Sequence, residues 1–444
     1  MSTPGTTSGE PLARARERWR ELSWTRALLA ITTAERASAE GPLAGLTFTV
    51  KDTFAVAGLR SSAGSLVLAD HVPDRDAVLV ARLKAAGATL FAKANCAEFG
   101  IGIDTTDTRL GGRVLHPTDQ AVSPGGSSGG DAVAVAGSIV DFAIGADYGG
   151  SVRWPAQSTG IYGLRTSAGL IPRTGRMPGG GATRARPSAG PPAPRGLISR
   201  VEVPGVFARD PAIIARVLPV IGGPDGDDWF GLAAPAPAAR RTRRLAITTG
   251  REVGPVSGES LDALAAARQA AQRAGFEIVD AEGLLADATA VYNSLRADLD
   301  VFDDLRAVVG DDIGLVCPET RAVLAGPPGR GWEHPAVRET WRYSREIIAR
   351  VGAVMAGVDA LILPVAPVSA VAAGTGVEID GQLIAGPALM AQCRAISLTG
   401  LPSLAMPTMA TSGGRTTGVQ VVGPAGGDEL CCAVAAELAA ALRA

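Results

Sequence analysis

The interpretation of this sequence depends on Gly125-Gly126-Ser127-Ser128-Gly129-Gly130 and, further along, on Asp147-Tyr148-Gly149-Gly150-Ser151-Val152-Arg153. Each stretch sets a serine in a glycine-rich turn, and Ser151 follows Ser127 by twenty-four residues. Glycines bring backbone N–H groups close to a ligand, and consecutive amides in such a turn form an anion-binding nest. A tetrahedral intermediate of acyl transfer needs such a nest as its oxyanion hole. Either turn alone is more often purely structural, so it is the pair that indicates chemistry.

Composition indicates a folded protein with a large core. The chain has 444 residues, of which 46% are hydrophobic and 19% are charged. This composition excludes a disordered chain, and the length fits either about three domains or one large α/β domain. Because 42 basic residues face 44 acidic ones, the net charge is −2. No overall field draws the chain to nucleic acid or to an anionic membrane.

Cysteine usage and the N-terminus favour a soluble, cytoplasmic protein. The five cysteines form no Cys-x-x-Cys pair, which argues against a disulfide framework and a zinc ribbon. No basic patch and apolar run follow Met1, so no signal peptide is predicted. The most apolar stretch, residues 132–146, is too short to span a bilayer and contains Asp141.

Histidine usage disfavours a metal hydrolase. His71, His116 and His334 are widely dispersed and form no His-Glu-x-x-His motif. No lysine follows a glycine as in a phosphate-binding loop, and none stands three residues after a serine as in the Ser-x-x-Lys acyl enzymes. We therefore expect neither a metal nor another cofactor.

Lysine usage narrows the search for a catalytic base. Only Lys51, Lys84 and Lys93 are lysines, and the other 39 basic residues are arginines. An arginine cannot give up its proton, so lysines that persist against such a bias are candidates for amine chemistry. Lys51 and Lys93 each end a predicted strand, whereas Lys84 lies on a predicted surface helix.

The hydrophobic pattern predicts an α/β fold. An amphipathic helix is predicted over residues 10–30, and strands and helices alternate after it, which implies a sheet with helices on both faces. Two stretches rich in glycine, proline and arginine, residues 177–196 and 222–243, are predicted to be surface loops.

The first glycine-rich stretch also satisfies Gly-x-Ser-x-Gly, the nucleophile elbow of α/β-hydrolases. That reading makes Ser127 the nucleophile and requires a buried strand immediately before it. The preceding residues, 117–124, are polar and bounded by prolines. His334 is the single downstream histidine that could complete a triad, so we regard the match as accidental.

Taken together, the two stretches resemble the signature of the amidase-signature hydrolases. The resemblance extends over most of residues 42–442, through segments 50–52, 86–88, 163–165, 204–209, 398–402 and 418–423 and through Lys93. It implies the amidase-signature fold, a large, mixed, mostly parallel twisted sheet with helices on both faces. It also implies an N-terminal helical segment, 1–41, before a single domain, 42–444, whose signature core spans about 45–210.

The resemblance implies a Ser–cisSer–Lys triad. Ser151 would be the nucleophile, Ser127 would relay its proton through a turn with a cis Gly126–Ser127 bond, and Lys51 would be the base. Lys51 must then be neutral, although a free lysine has a pKa of about 10.4. Burial can lower the pKa of a lysine by ~3 units or more.

The resemblance also assigns residues around the triad. The backbone amides of Tyr148, Gly149, Gly150 and Ser151 would form the oxyanion hole, and Gly125 and Gly126 would contact substrate. Asp147 and Arg153 would brace the loop.

Two departures from the family pattern bear on the pocket and not on the triad. Ala146 stands where Thr or Ser is usual, and Leu164-Arg165-Thr166 replaces a common Leu-Lys-Pro. For Lys93, which lies on a family motif, a structural ion pair is favoured over catalysis.

The resemblance thus implies an amidohydrolase that cleaves a small-molecule carboxamide through a seryl acyl-enzyme. The alternatives are an acyl transferase or amide synthase, a glutamine-hydrolysing component of a transamidase, and a scaffold without turnover. The expected partner is a small-molecule amide, with a possible homodimer and with no nucleic acid or membrane.

Overall fold

The computed structural model of the protein describes residues 10–33, 40–106, 109–178, 201–226, 242–299, 302–410 and 415–444. The predicted loops at 177–196 and 222–243 lie largely outside this described part. The domain boundaries predicted around them stay predictions.

A twisted sheet of eleven strands forms the centre of the described chain, in the order β1-β3-β2-β4-β6-β5-β12-β13-β9-β7-β8. Two short strands, β10 and β11, form a separate hairpin. The strands are β1 (Leu28–Ile31), β2 (Thr47–Lys51), β3 (Thr89–Ala94), β4 (Phe142–Asp147), β5 (Tyr162–Arg165), β6 (Val203–Ala208), β7 (Arg244–Ile247), β8 (Glu277–Asp280), β9 (Ala360–Pro364), β10 (Val377–Ile379), β11 (Gln382–Ile384), β12 (Ser403–Ala410) and β13 (Thr416–Val422).

Helices connect these strands and cover both faces of the sheet. They are α1 (Glu10–Leu22), α2 (Val78–Ala85), α3 (Gly129–Ala136), α4 (Arg153–Thr159), α5 (Pro211–Ile221), α6 (Gly258–Arg273), α7 (Ala288–Asp298), α8 (Asp303–Val309), α9 (Pro318–Leu324), α10 (Pro335–Met355), α11 (Ala391–Thr399) and α12 (Asp428–Arg443).

The predicted fold class is confirmed. Parallel pairing is found in two blocks, where β2 lies between β3 and β4 and where β7 lies between β9 and β8. The strands between the blocks, and β1 at the edge, pair antiparallel. Because β2 and β4 are parallel, their carboxyl ends meet at one edge of the sheet. Lys51 ends β2 and Asp147 ends β4, so this edge brings the two signature segments to the lysine.

Side chains of β4 alternate between two hydrophobic cores. Phe142 and Ile144 belong to the core under α2, α5, α6 and α12, and the Phe142 ring stacks on Phe48 with centroids 5.3 Å apart. Ala143 belongs to the core under α1, α3 and α4. The strand is therefore covered on both faces, as its continuous apolar sequence indicates.

The helix predicted over residues 10–30 is wrong in its second half. It ends at Leu22, Arg26 takes a left-handed φ of 56°, and Leu28–Ile31 becomes β1, which pairs antiparallel with β3. A left-handed residue cannot continue a right-handed helix, and the strand supplies hydrogen-bond partners to the edge of β3. Within the described part of the predicted N-terminal helical segment, 1–41, the α-helix is confined to Glu10–Leu22.

Candidate active site

Lys51 lies at the end of β2 with its amine inside the protein. The residue is 1% exposed. Its Nζ is 2.5 Å from Ser127 Oγ and 3.0 Å from Ser128 Oγ. The contact between Lys51 and Ser127 that the resemblance implies is therefore present in the structure, and the amine also meets a second hydroxyl.

The surroundings of Lys51 favour the neutral amine. Burial lowers the pKa of Lys51 to about 8, against an ordinary value of 10.5, and the positive charge of Arg176 also lowers it. The acidic groups of Asp131 and Glu202 oppose this shift only in part. At a mildly alkaline pH much of the enzyme holds an amine that can accept a proton.

Asp131, on α3, lies close to this lysine without becoming a strong counter-charge. Burial raises the pKa of the Asp131 carboxyl well above its usual value, although Lys51 and a hydrogen bond from Thr49 lower it. Thr49 Oγ1 donates to Asp131 Oδ1 over 3.3 Å. A carboxyl whose pKa is raised by burial is a weakened counter-charge for the lysine.

The turn that carries Ser127 is packed tightly against a neighbouring loop. The Gly126–Ser127 peptide bond is cis, as expected. A Cβ at Gly126 would lie 2.7 Å from the carbonyl carbon of Asp104, so no side chain fits there. The Ser127 carbonyl accepts a hydrogen bond from Ala97 N over 3.1 Å. These contacts fix the hydroxyl of Ser127 against Lys51.

Ser151 occupies the tight turn between β4 and α4. It is 5% exposed and lines a cavity of about 540 Å³. A strand, a turn and a helix thus surround Ser151, while in the described part of the loop no strand precedes Ser127. The alternative with Ser127 as an elbow nucleophile therefore lacks the buried strand that it requires, and the glycines around Ser127 form the packed cis turn.

The carboxylate of Asp147 braces the turn that carries Ser151. Asp147 accepts hydrogen bonds from Gly150 N at 2.9 Å and from Val152 N at 3.2 Å. It also pairs with Arg153 at 2.9 Å and with Arg165 at 3.3 Å. Although burial alone would raise the pKa of Asp147, the two arginines and these hydrogen bonds hold it well below its usual value. The residue stays ionised.

Arg153 and Arg165 extend this brace into other elements. Arg153 is buried and donates to Cys393 O at 2.9 Å, to Gln420 Oε1 at 3.0 Å and to Ser397 Oγ at 2.8 Å. Arg165 donates to Val201 O at 2.7 Å. Arg165 is one of the departures from the family pattern, and sequence reasoning gave it no role at the turn.

One predicted oxyanion donor needs correction. The N–H of Gly150 donates to Asp147 Oδ1, so it is engaged in holding the turn. The remaining candidates are the amides of Tyr148, Gly149 and Ser151. Gly150 has φ +130°, and a Cβ there would lie 2.8 Å from Met390 Sδ, which explains the glycine by conformation and packing.

At the other departure, Ala146, the backbone contacts Ser128. Ser128 Oγ lies 3.4 Å from both the N and the O of Ala146, on the strand that leads to Ser151. The same hydroxyl contacts Lys51 Nζ. Ser128 therefore links the lysine to β4, a role that its place beside Ser127 in the motif could have suggested.

The other two lysines differ from Lys51. Lys93 is fully buried and forms the predicted ion pair, with Asp52 Oδ1 at 3.4 Å, and it donates to Ser61 Oγ at 2.9 Å. Lys84 is on the surface, where its Nζ lies 2.8 Å from Asp76 Oδ2.

The cavity wall also contains charged groups that face each other. Arg173 pairs with Glu202 at 2.7 Å, and Arg176 forms an ion pair with the same carboxylate. A Cβ added at Gly100 would lie 3.6 Å from Ser127 Oγ and 3.9 Å from Arg176 Nη2, so this ion pair borders the triad.

Within the described ranges, no group of three His, Cys, Asp or Glu side chains could hold a metal ion. The described helices also include none that is both long and apolar enough to cross a bilayer. Metal independence and a cytoplasmic location stay predictions.

Comparison with known proteins identifies the family. The model of the family described as Amidase matches residues 13–432. The chain belongs to the amidase-signature family. A glutamyl-tRNA(Gln) amidotransferase subunit from Deinococcus deserti is 30% identical over 429 residues, which cover 89% of this chain and 83% of that protein.

Solved amidase-signature structures share the whole fold. An amidase superposes with a TM-score of 0.81 at 25% identity, covering 98% of this chain and 96% of its own. A 6-aminohexanoate cyclic dimer hydrolase in complex with substrate superposes with a TM-score of 0.79 at 26% identity, covering 98% and 94%. The chain is therefore an amidase-signature enzyme of the C–N hydrolase and amidotransferase class.

The pH dependence of activity should report the amine of Lys51. With a substrate that does not titrate, kcat/KM should rise with pH through about 8 and then level off, because only neutral Lys51 accepts a proton. Stopped assays across the pH range measure this limb, and Lys84→Arg should leave it in place. A kcat/KM that is constant through this range would contradict the assignment.

Replacing Lys51 with arginine should separate charge from basicity. We expect Lys51→Arg to lower kcat/KM by at least ~10²–10⁴-fold, because guanidinium cannot accept the proton. Lys51→Met should be comparably inactive, which controls for the size of arginine. Lys84→Arg, on the surface beside Asp76, should retain activity. Circular dichroism checks folding, and substantial activity in Lys51→Arg would remove Lys51 as the base.

Proposed function

We propose that the protein hydrolyses the C–N bond of a small-molecule carboxamide through a seryl acyl-enzyme on Ser151. The observation that carries this proposal is the buried contact of 2.5 Å between Lys51 Nζ and Ser127 Oγ. Lys51 has no dominant counter-charge, and its amine contacts a hydroxyl at the edge of the sheet from which the Ser151 turn also begins. This arrangement suits proton transfer and not structural pairing.

The first half of the reaction forms the acyl-enzyme. Ser151 Oγ attacks the amide carbonyl carbon while its proton passes to Ser127 Oγ and the Ser127 proton passes to Lys51 Nζ. The negative oxygen of the tetrahedral intermediate is stabilised by amides of the turn, from Tyr148, Gly149 and Ser151. When the intermediate collapses, the C–N bond breaks and the leaving nitrogen takes the proton back through the same relay.

The second half releases the acid. Water attacks the acyl carbonyl and gives its proton to the relay, and Ser151 leaves with that proton. The sum is one amide and one water converted to one carboxylic acid and one amine or ammonia. An acyl transferase would differ in this half, because an amine would take the place of water.

A second candidate is the hydrolysis of glutamine as one component of an amidotransferase. The observation that favours it is the 30% identity, over 89% of the chain, with the glutamyl-tRNA(Gln) amidotransferase subunit from Deinococcus deserti. On that reading the triad and both half-reactions are unchanged. The carboxamide is the glutamine side chain, and the ammonia goes to a partner protein instead of to solvent.

Labelling with a fluorophosphonate should identify the nucleophile. We expect Ser151→Ala to abolish both hydrolysis and covalent labelling, because the reagent bonds to the activated serine oxygen. Ser127→Ala should slow labelling by interrupting the proton relay. Ser369→Ala, a buried serine away from both turns, is the matched control and should label normally. Labelling that survives in Ser151→Ala but fails in Ser127→Ala would overturn the assignment.

Ammonia release separates the two candidate functions. We expect the isolated chain to hydrolyse simple carboxamides without a partner, with L-glutamine showing no preference over glutaramate, which lacks only its α-amino group. Coupled detection of ammonia measures both, with Ser151→Ala as the blank. A strong preference for glutamine, or activity that requires an added partner protein, would decide for the amidotransferase role.

A further inference from the structure

One wall of the cavity beside Ser151 consists of two tyrosines and two arginines: Tyr148, Tyr292, Arg296 and Arg394. We call these four residues the arginine–tyrosine face. The rings of Tyr148 and Tyr292 lie 5.8 Å apart. The guanidinium of Arg296 lies 5.8 Å from the Tyr148 ring centre, and that of Arg394 lies 5.7 Å from the Tyr292 ring centre. The face is thus one continuous surface of aromatic rings and cations.

The arginine–tyrosine face adjoins the turn that carries Ser151. A Cβ added at Gly149 would lie 2.9 Å from Tyr292 Oη and 3.3 Å from Arg394 Cγ. Tyr292 Oη also lies 3.3 Å from the carbonyl of Tyr148. Since Gly149 precedes Ser151 by two residues, a molecule bound at the nucleophile reaches these side chains.

The charges of this face lack the pairing found elsewhere in the cavity. Arg173 and Arg176 share the carboxylate of Glu202. Among the side chains that the structure describes, none with a carboxylate forms an ion pair with Arg296 or Arg394. Arg394 donates instead to a neutral group, Asn293 Oδ1, over 2.6 Å.

Two polar atoms of the face have no hydrogen-bond partner within the described part of the chain. They are Arg394 Nε and Tyr148 Oη, both buried. A buried donor left unpaired destabilises the structure, and a bound acceptor would remove that cost. Burial lowers the pKa of Arg394, and the nearby charge of Arg296 lowers it further, so the two cations repel each other when the cavity holds no anion.

We propose that the arginine–tyrosine face binds a carboxylate of the substrate, so that the enzyme acts on amides that carry a carboxylate. This inference rests on the proposed hydrolysis at Ser151 and names its substrate class. The planar fork of a guanidinium matches the two oxygens of a carboxylate. The tyrosine rings beside it give the carbon chain of such a substrate an apolar surface.

Matched pairs of amides test the proposal. Malonamate, succinamate and glutaramate are compared with propionamide, butyramide and valeramide, which replace the carboxylate with a methyl group. N-Acetylglycine and N-acetyl-β-alanine, against N-ethyl- and N-propylacetamide, place the carboxylate on the leaving amine. In the wild type, kcat/KM should be higher for the anionic member in at least one series.

Variants then test whether the preference for anionic amides depends on the arginine–tyrosine face. Arg394→Gln should lower the ratio of anionic to neutral kcat/KM by about 10- to 100-fold, the range expected for losing one charged hydrogen bond. Arg296→Gln should lower the same ratio. Because Arg296 lies on α7 and Arg394 on α11, the second variant tests the face even if Arg394→Gln does not fold. Arg342→Gln, an exposed arginine on α10, should leave the ratio unchanged. A ratio unaffected by both face variants would overturn the proposal.

Binding without turnover separates this inference from the catalytic one. Succinate or glutarate should raise the melting temperature of Ser151→Ala, and the shift should disappear when Arg394→Gln is added. A shift that persists in the double variant, or that is absent from Ser151→Ala, counts against the carboxylate site. If Ser151→Ala still hydrolyses amides while the shift depends on Arg394, the catalytic proposal fails and the carboxylate site stands.

Discussion

The architecture of the active site depends on the buried ion pairs and hydrogen bonds of the Asp147 carboxylate. That carboxylate is fully buried, yet it stays ionised because Arg153, Arg165 and backbone amides of the turn surround it. Arg153 donates hydrogen bonds to groups on α11 and β13, so one ionic cluster joins the Ser151 turn to strands and helices across the sheet. Removing one partner of such a buried cluster typically costs about 3–5 kcal/mol, since the other charge is left uncompensated.

Lys51 is buried like Asp147, but its burial favours the neutral form of the side chain instead of the charged form. Both residues end parallel strands at one edge of the sheet, but Asp147 has two cationic partners and Lys51 meets two serine hydroxyls. Desolvation is therefore outweighed for the carboxylate and only partly opposed for the amine, whose pKa falls to about 8. An ionised carboxylate and an amine with a lowered pKa thus arise side by side from different neighbours.

Sequence reasoning found the parts of the site that lie within contiguous motifs. The contact between Lys51 and Ser127, the cis turn and the fold class were all predicted from the signature resemblance. It missed the role of Arg165, because a residue that departs from the family pattern does not indicate which carboxylate it contacts. It also assigned Gly150 N–H to the oxyanion hole, because a glycine-rich turn does not reveal where each amide points. The strand at Leu28–Ile31 was hidden behind an amphipathic pattern that continued past the true helix end.

The ionic cluster around Asp147 has a consequence for how the enzyme is made. The partners of Arg153 lie between 240 and 267 residues further along the chain, at Cys393, Ser397 and Gln420. During synthesis the ribosome releases the Ser151 turn, together with Asp147 and Arg165, long before these groups, so the cluster is completed only when nearly the whole sheet has been translated. The contacts that tie this turn to α11 and β13 therefore form late in synthesis.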